Sequence, residues 1–178
     1  ILGAQGTPAS AGYPFDIEVL RQTRQLEFAT PVTFFVGDNG TGKSTLLRAL
    51  ARKCNIFIWG ERRDTSRNEQ DFMDSLSVEW IGNAVPGSFF SSELFFNFSR
   101  IADDDEAMRS FFGEKVFGAQ SHGEGLITYF RKRYTLEGLY FLDEPETALS
   151  PRSQLELLKV LQAMSAAGHA QFIIASHS

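Results

Sequence analysis

The most constraining stretch of this chain is Gly37-Asp38-Asn39-Gly40-Thr41-Gly42-Lys43-Ser44, set between two runs of opposite character. Before it, Pro31 opens Val32-Thr33-Phe34-Phe35-Val36, whose β-branched and aromatic residues suit a buried strand. After it, Lys43 to Lys53 is rich in Leu, Ala, Arg and Lys, all good helix formers. The eight residues fit G-x-x-x-x-G-K-[ST] in full. Glycines in that pattern let the backbone curl, so that successive N–H groups converge on phosphate oxygens at the positive end of the following helix. Lys43 is then expected to reach the β- and γ-phosphates of a nucleotide, and the Ser44 hydroxyl to ligate Mg²⁺. A glycine-rich turn matching by chance is the bland alternative, and the flanking strand and helix weigh against it.

A second apolar run, Leu139-Tyr140-Phe141-Leu142, ends in Asp143-Glu144. It predicts a strand that delivers a carboxylate beside the phosphates. Asp143 is expected to hold Mg²⁺ through water, and Glu144 to orient the attacking water or take its proton. Ser150 followed by Pro151 predicts a helix start, and Gly168 its stop, with Leu155, Leu158, Leu161 and Met164 as its apolar face. Phe172-Ile173-Ile174-Ala175 predicts another buried strand, ending at Ser176-His177-Ser178. Strands alternating with helices imply an α/β fold with a mostly parallel sheet, in which ligands collect at the carboxyl ends of the strands.

The remaining segments are less patterned. Asp16 to Leu20 and Leu26 to Phe28 read as short strands, Glu61 to Asp71 as charged and exposed, and Leu126 to Tyr134 as a helix after a boundary at Gly123 and Gly125. Phe89 to Arg100 and Asp103 to Phe117 read as two short elements separated by an acidic turn at Asp103-Asp104-Asp105.

At 178 residues the chain fits one domain. Its 17 Lys+Arg against 22 Asp+Glu give a net charge of −5, which argues against a surface built wholly to coat nucleic acid. Its apolar runs are too short to span a bilayer, and its single cysteine, Cys54, fits a reducing, cytoplasmic setting. Phenylalanine is the compositional oddity. Eight of the 17, namely Phe89, Phe90, Phe95, Phe96, Phe98, Phe111, Phe112 and Phe117, crowd one short stretch.

The assembled motifs resemble ABC-type P-loop ATPases. Gly37 to Thr45 looks like their asparagine-containing phosphate loop, and Leu142-Asp143-Glu144-Pro145-Glu146 like their extended Walker B. Ala148-Leu149-Ser150-Pro151 stands at the D-loop, His177 at the switch histidine, and Ser121-His122-Gly123-Glu124 at the signature. The spelling of the last motif and the Asp-Glu-Pro-Glu form are more similar to the soluble, non-transporter branch of predicted AAA-family ATPases related to the SMC and RecF-like group.

The resemblance implies a P-loop NTPase fold with a nucleotide-binding core at 31–55 and 135–178. A small helical lobe, carrying the signature, would be inserted between Walker A and Walker B at about 89–134. Most of the eight phenylalanines would build the core of that lobe. It implies ATP and Mg²⁺ as ligands, and a homodimer formed head to tail on ATP binding. Ser121 and the Gly123 backbone would meet the partner's γ-phosphate and His177 the γ-phosphate in cis, with His122 and Glu124 beside them. A family core also continues past a position like Ser178, so the chain reads as incomplete or as lacking disordered residues there.

Glu93 stands where transporter subunits carry a glutamine near Mg²⁺; an acid at a helix start is the equal alternative. Tyr13 could stack on adenine, with packing under the first strands as the favoured reading. Arg131-Lys132-Arg133 reads as a solvated helix face rather than a phosphate-binding patch. Three rivals stay open: a transporter energy subunit, a nucleotide-gated clamp on DNA or protein with little turnover, and a small-molecule kinase.

Overall fold

A computed structural model describes residues 12–58, 66–92, 94–95, 105–112, 122–168 and 170–177. In chain order these form α1 (Glu18–Gln22), β1 (Val32–Val36), α2 (Lys43–Lys53), α3 (Arg67–Ser75), β2 (Gly87–Ser91), α4 (Glu106–Phe112), α5 (His122–Arg133), β3 (Gly138–Asp143), a 3₁₀ turn (Pro145–Ala148), α6 (Pro151–Ala167) and β4 (Ala170–Ser176). The strands among the described residues make one all-parallel sheet in the order β1-β4-β3-β2.

Both faces of the inner strands are buried, which explains why β3 and β4 read as continuous apolar runs. Leu139, Phe141, Ile173, Ala175 and Phe89 pack under α2 and α3, together with Leu47, Leu50, Phe72 and Met73. Tyr140, Leu142, Phe172, Ile174 and Phe90 face the other way, onto Leu126, Phe130 and Tyr134 of the α5 region and Leu157, Leu161 and Met164 of α6. The alternation along each strand is the two-residue period of a pleated backbone.

The register brings the carboxyl ends of the four strands level. Ser91 pairs with Asp143, Asp143 with Ala175, and Val36 with Ser176. Every motif that follows a strand therefore emerges at one edge of the sheet.

Several expectations are corrected. Asp16 to Leu20 is not a strand: Glu18–Gln22 is a short helix, tied by Gln22 Nε2 to Glu18 Oε1 at 2.7 Å, with Leu20 buried. Glu-Val-Leu-Arg-Gln contains good helix formers, and Leu20 gains a tertiary seat against the start of α2. Leu26 to Phe28 joins no ladder among the described residues. Among the described residues β1 is not a buried strand but the edge of the sheet, and it leaves Phe34 49% and Val36 62% exposed.

On α6 the buried stripe is Leu157, Leu161 and Met164, whereas Leu155 and Leu158 face solvent. The charged segment near Asp71 contains α3, started by a capping box between Ser66 and Glu69 and anchored by Phe72 and Met73. The helix expected from Leu126 begins earlier, at His122, so Gly123 and Gly125 lie in its opening turns rather than before it.

The phenylalanine cluster divides. Phe89 and Phe90 lie in β2, on opposite faces of the sheet, rather than in a helical lobe. Phe90 and Phe95 join Tyr129, Phe130, Tyr134, Tyr140 and Phe172 in a chain of rings with centroids 4.7–6.3 Å apart. Phe96, Phe98 and Phe117, and the side chains of Phe111 and Phe112, fall outside the described residues. Arg133 also departs from a solvated face. It donates to Gly87 O at 3.1 Å and lies over the Tyr140 ring at 5.6 Å, tying α5 to β2 and β3. No helix of the described residues is long and apolar enough to cross a membrane.

Candidate functional site

The loop leaving β1 turns into α2 at Gly42, which has φ +90 and caps the helix. A Cβ there would lie 3.0 Å from Leu20 Cδ1 and 3.2 Å from Ile17, so both backbone conformation and space require glycine. Gly40, with φ +78, makes the other left-handed turn, and Thr41 Oγ1 donates back to Asp38 O at 2.9 Å. Asp38, Asn39, Gly40 and Thr41 are exposed, while Gly37, Lys43, Ser44 and Thr45 are half-buried. Lys43 Nζ folds over the loop and donates to Gly37 O at 2.5 Å and to Asp38 O at 2.8 Å. The result is an open bowl at a helix N-terminus with an ammonium at its lip, an arrangement suited to anions.

The acidic strand end meets this bowl. Ser44 Oγ donates to Asp143 Oδ1 at 2.7 Å, across 99 positions of sequence. Asp143 is buried at 6% exposure, and burial raises its pKa above the ordinary value of 3.8. The Ser44 bond and the charges of Arg48 and Lys43 oppose that rise. Arg48 Nη2 lies 3.7 Å from Asp143 Oδ2.

An acid whose folded pKa is raised costs stability once pH climbs above its unfolded value, and the cost grows until pH passes the folded one. Asp143→Asn keeps an acceptor for Ser44 and removes the buried charge. The variant is expected to melt a few degrees higher at pH 7, with the gain shrinking as pH falls toward 4. Calorimetric scans at the two pH values check this, and an unchanged or lower Tm at pH 7 would contradict it.

Glu144 follows with φ 49 and ψ 52, a left-handed conformation rare for a residue bearing Cβ. Its backbone is held from three sides. Its N–H donates to Ala175 O at 2.9 Å, and its carbonyl accepts from Ser92 Oγ at 2.8 Å and Thr147 Oγ1 at 2.9 Å. This turn aims the carboxylate at the end of β4, where His177 Nε2 lies 2.7 Å from Glu144 Oε1. Both side chains are about one-third exposed, so the pair faces an open edge.

Lys43, Ser44 and Asp143 therefore form one group and Glu144 and His177 another, at neighbouring strand ends. Glu93 and Ser121 lie outside the described residues, as does the side chain of His122. The backbone of His122, Gly123 and Glu124 makes the first turn of α5, and Glu124 is exposed.

Some residues at the site carried no signal in the sequence. Arg48 and Ser92 are such residues and act through contacts between distant segments, whereas Glu146 and Ser176 stand in motifs that gave them no individual role. Tyr13 departs from the favoured packing reading, being 49% exposed with its hydroxyl bonded to Thr45 Oγ1 beside the loop. An apolar cavity of about 400 Å³ lies elsewhere, toward the amino-terminal ends of β3 and β4 where Leu139 and Gln171 line it.

A parallel sheet with a phosphate loop after its first strand and an acidic residue ending an inner strand defines a P-loop NTPase. The chain belongs to a family described as the AAA domain, within the SMC- and RecF-like AAA group, whose model matches residues 15–137. That match includes the glycine loop and stops before β3, and membership implies nucleotide binding by a P-loop ATPase fold. No curated protein matches the chain.

Proposed function

We propose that this domain binds ATP with Mg²⁺ on the Gly37–Thr45 loop and hydrolyses the β–γ phosphoanhydride bond, two copies pairing head to tail around the nucleotide. The observation that carries this reading is the 2.7 Å bond from Ser44 Oγ to Asp143 Oδ1. A hydroxyl and a buried carboxylate are hard oxygen donors of the kind Mg²⁺ takes, one or two from protein and the rest from phosphate and water. Ser44 and Asp143 would hold the ion; Glu93, a further candidate by its position in the sequence, lies outside the described residues. When bound, it supplies charge neutralisation to the β- and γ-phosphates.

Lys43 would exchange its two carbonyl partners for phosphate oxygens, and the loop N–H groups would bind the others. Glu144 would hold the attacking water and take its proton as the water oxygen bonds to the γ-phosphorus and the bridging oxygen leaves with ADP. His177 now occupies the Glu144 carboxylate; a γ-phosphate offers the imidazole a second partner and frees the base. Turnover in a lone copy is then slow. The first turn of α5, with Ser121 and Gly123, would complete the site from the second copy. A DNA or protein partner remains a separate proposal, marked by salt-sensitive DNA binding that needs ATP.

Thermal unfolding tests the binding step. ATP at a hundredfold over its Kd stabilises by about 2.7 kcal/mol, roughly 5–10 °C for a chain of this size. The shift should shrink when EDTA replaces Mg²⁺. No shift with ATP·Mg²⁺ would remove the reading.

Tyr13 supplies a prediction about the base. Its ring, exposed and beside Thr45, would stack on adenine. Tyr13→Ala should weaken ATP binding about 2–10-fold, the range of an aromatic contact, while Tyr13→Phe stays within about twofold. Inorganic triphosphate, which has no base, should bind all three proteins alike; a loss shared by triphosphate would contradict stacking.

A further inference from the structure

We infer that Glu146 is a positioning residue, whose carboxylate sets where His177 stands against Glu144; this deepens the hydrolytic reading and rests on it. Glu146 Oε1 accepts two hydrogen bonds from the end of β4, one from Ser176 Oγ at 2.7 Å and one from the His177 backbone N–H at 3.0 Å. Ser176 is 5% exposed, so its hydroxyl is held in the protein rather than in water. The next contact outward is the His177 imidazole on Glu144 at 2.7 Å. One carboxylate thus grips the two atoms that fix the peptide from which the imidazole projects. Bonds to an ionised acceptor are shorter and stronger than neutral ones, which suits a clamp.

The clamp stands on a rigid base. Pro145 opens the 3₁₀ turn with its φ locked, and the Glu146 carbonyl accepts from Leu149 N–H at 3.0 Å and from Gln154 Nε2 at 3.3 Å. Gln154 also donates to Leu149 O at 3.2 Å, bolting the turn to the start of α6. A continuous path runs from α6 through the turn and Glu146 to the end of β4, and back to the carboxylate beside the phosphate loop. Displacing His177 by about 1 Å would cost rate more than binding, because the phosphate loop and Lys43 would carry most of the nucleotide contacts while the reacting geometry depends on the imidazole.

The experiment is a double-mutant cycle on the whole chain, read by ATP turnover, by Kd for ATP, and by hydrogen exchange at the His177 amide. Glu146→Ala is expected to lower kcat at least tenfold with Kd within twofold, and to remove protection at the His177 amide. Glu146→Gln, whose amide oxygen can accept both bonds, should restore protection and return kcat to within about threefold. In a His177→Ala background, Glu146→Ala should cost less than twofold, because its effect acts through the imidazole.

Unchanged amide protection in Glu146→Ala overturns the clamp. Lost protection with a full additional loss in the His177→Ala background overturns positioning. If His177→Ala itself leaves kcat unchanged while protection still follows Glu146, the clamp stands, and both the positioning role and the part assigned to His177 in hydrolysis fall.

Discussion

Glu144→Gln is expected to lower ATP turnover by at least about a hundredfold, the low end of what a positioned proton acceptor contributes, while ATP still binds. The amide is nearly isosteric, and its oxygen can still accept from His177 Nε2, now 2.7 Å from the carboxylate. The strained backbone is untouched, since the bonds to Ala175, Ser92 and Thr147 all use main-chain atoms of Glu144. What disappears is the group proposed to take the water's proton. With hydrolysis blocked, the ATP-bound pair of copies should accumulate. Size-exclusion chromatography with ATP·Mg²⁺ should then show a dimer in the variant at concentrations where the native protein is monomeric. Turnover within threefold of native, with no dimer, would take Glu144 out of its role.

Lys43→Ala has the second-largest expected effect, and on binding rather than chemistry. Each hydrogen bond to a charged partner is worth roughly 1.5–3 kcal/mol, so losing the ammonium should weaken ATP binding about 10–100-fold. Fold stability should change little. The carbonyls that Lys43 now bonds, Gly37 O and Asp38 O, lie at an open loop where water can replace it. The check is a fluorescent ATP analogue titrated into both proteins, with melting curves run without nucleotide. A Kd within twofold of native would contradict the account, as would a Tm many degrees lower, which would make the lysine a structural strut.

What was readable in advance follows the range of the interactions involved. The glycine loop, the Ser150 and Gly168 helix ends and the inner strands are local patterns, and each lies where its residues indicated. Ser66-x-x-Glu69 is equally local; that capping box was there to be read in a segment taken as merely charged.

Other features were hidden because they depend on neighbours. Val32 to Val36 has the composition of a buried strand, yet its place at the sheet edge is a matter of strand order, which no short window contains. On α6 the apolar residues Leu155, Leu157, Leu158, Leu161 and Met164 fit two overlapping stripes, and only the sheet beneath selects 157, 161 and 164. Phe89 and Phe90 look alike in sequence and serve opposite faces.

At the site the division is the same. Lys43, Ser44, Asp143, Glu144 and His177 come from motifs whose spacing carries meaning. Glu146 matters through two bonds to residues 30 and 31 positions away, and Ser92 through one bond to a residue 52 positions away. Tyr13 needed the fold of α1 against Gly42 before its hydroxyl could be seen beside Thr45.

Phosphate release from ATP, followed over a range of protein concentrations with and without Mg²⁺, tests the central claim most directly. The account predicts release that requires Mg²⁺ and a rate per molecule that rises with protein concentration, as expected if each site is completed by a second copy. Release that is undetectable at every concentration, or indifferent to Mg²⁺, would contradict it.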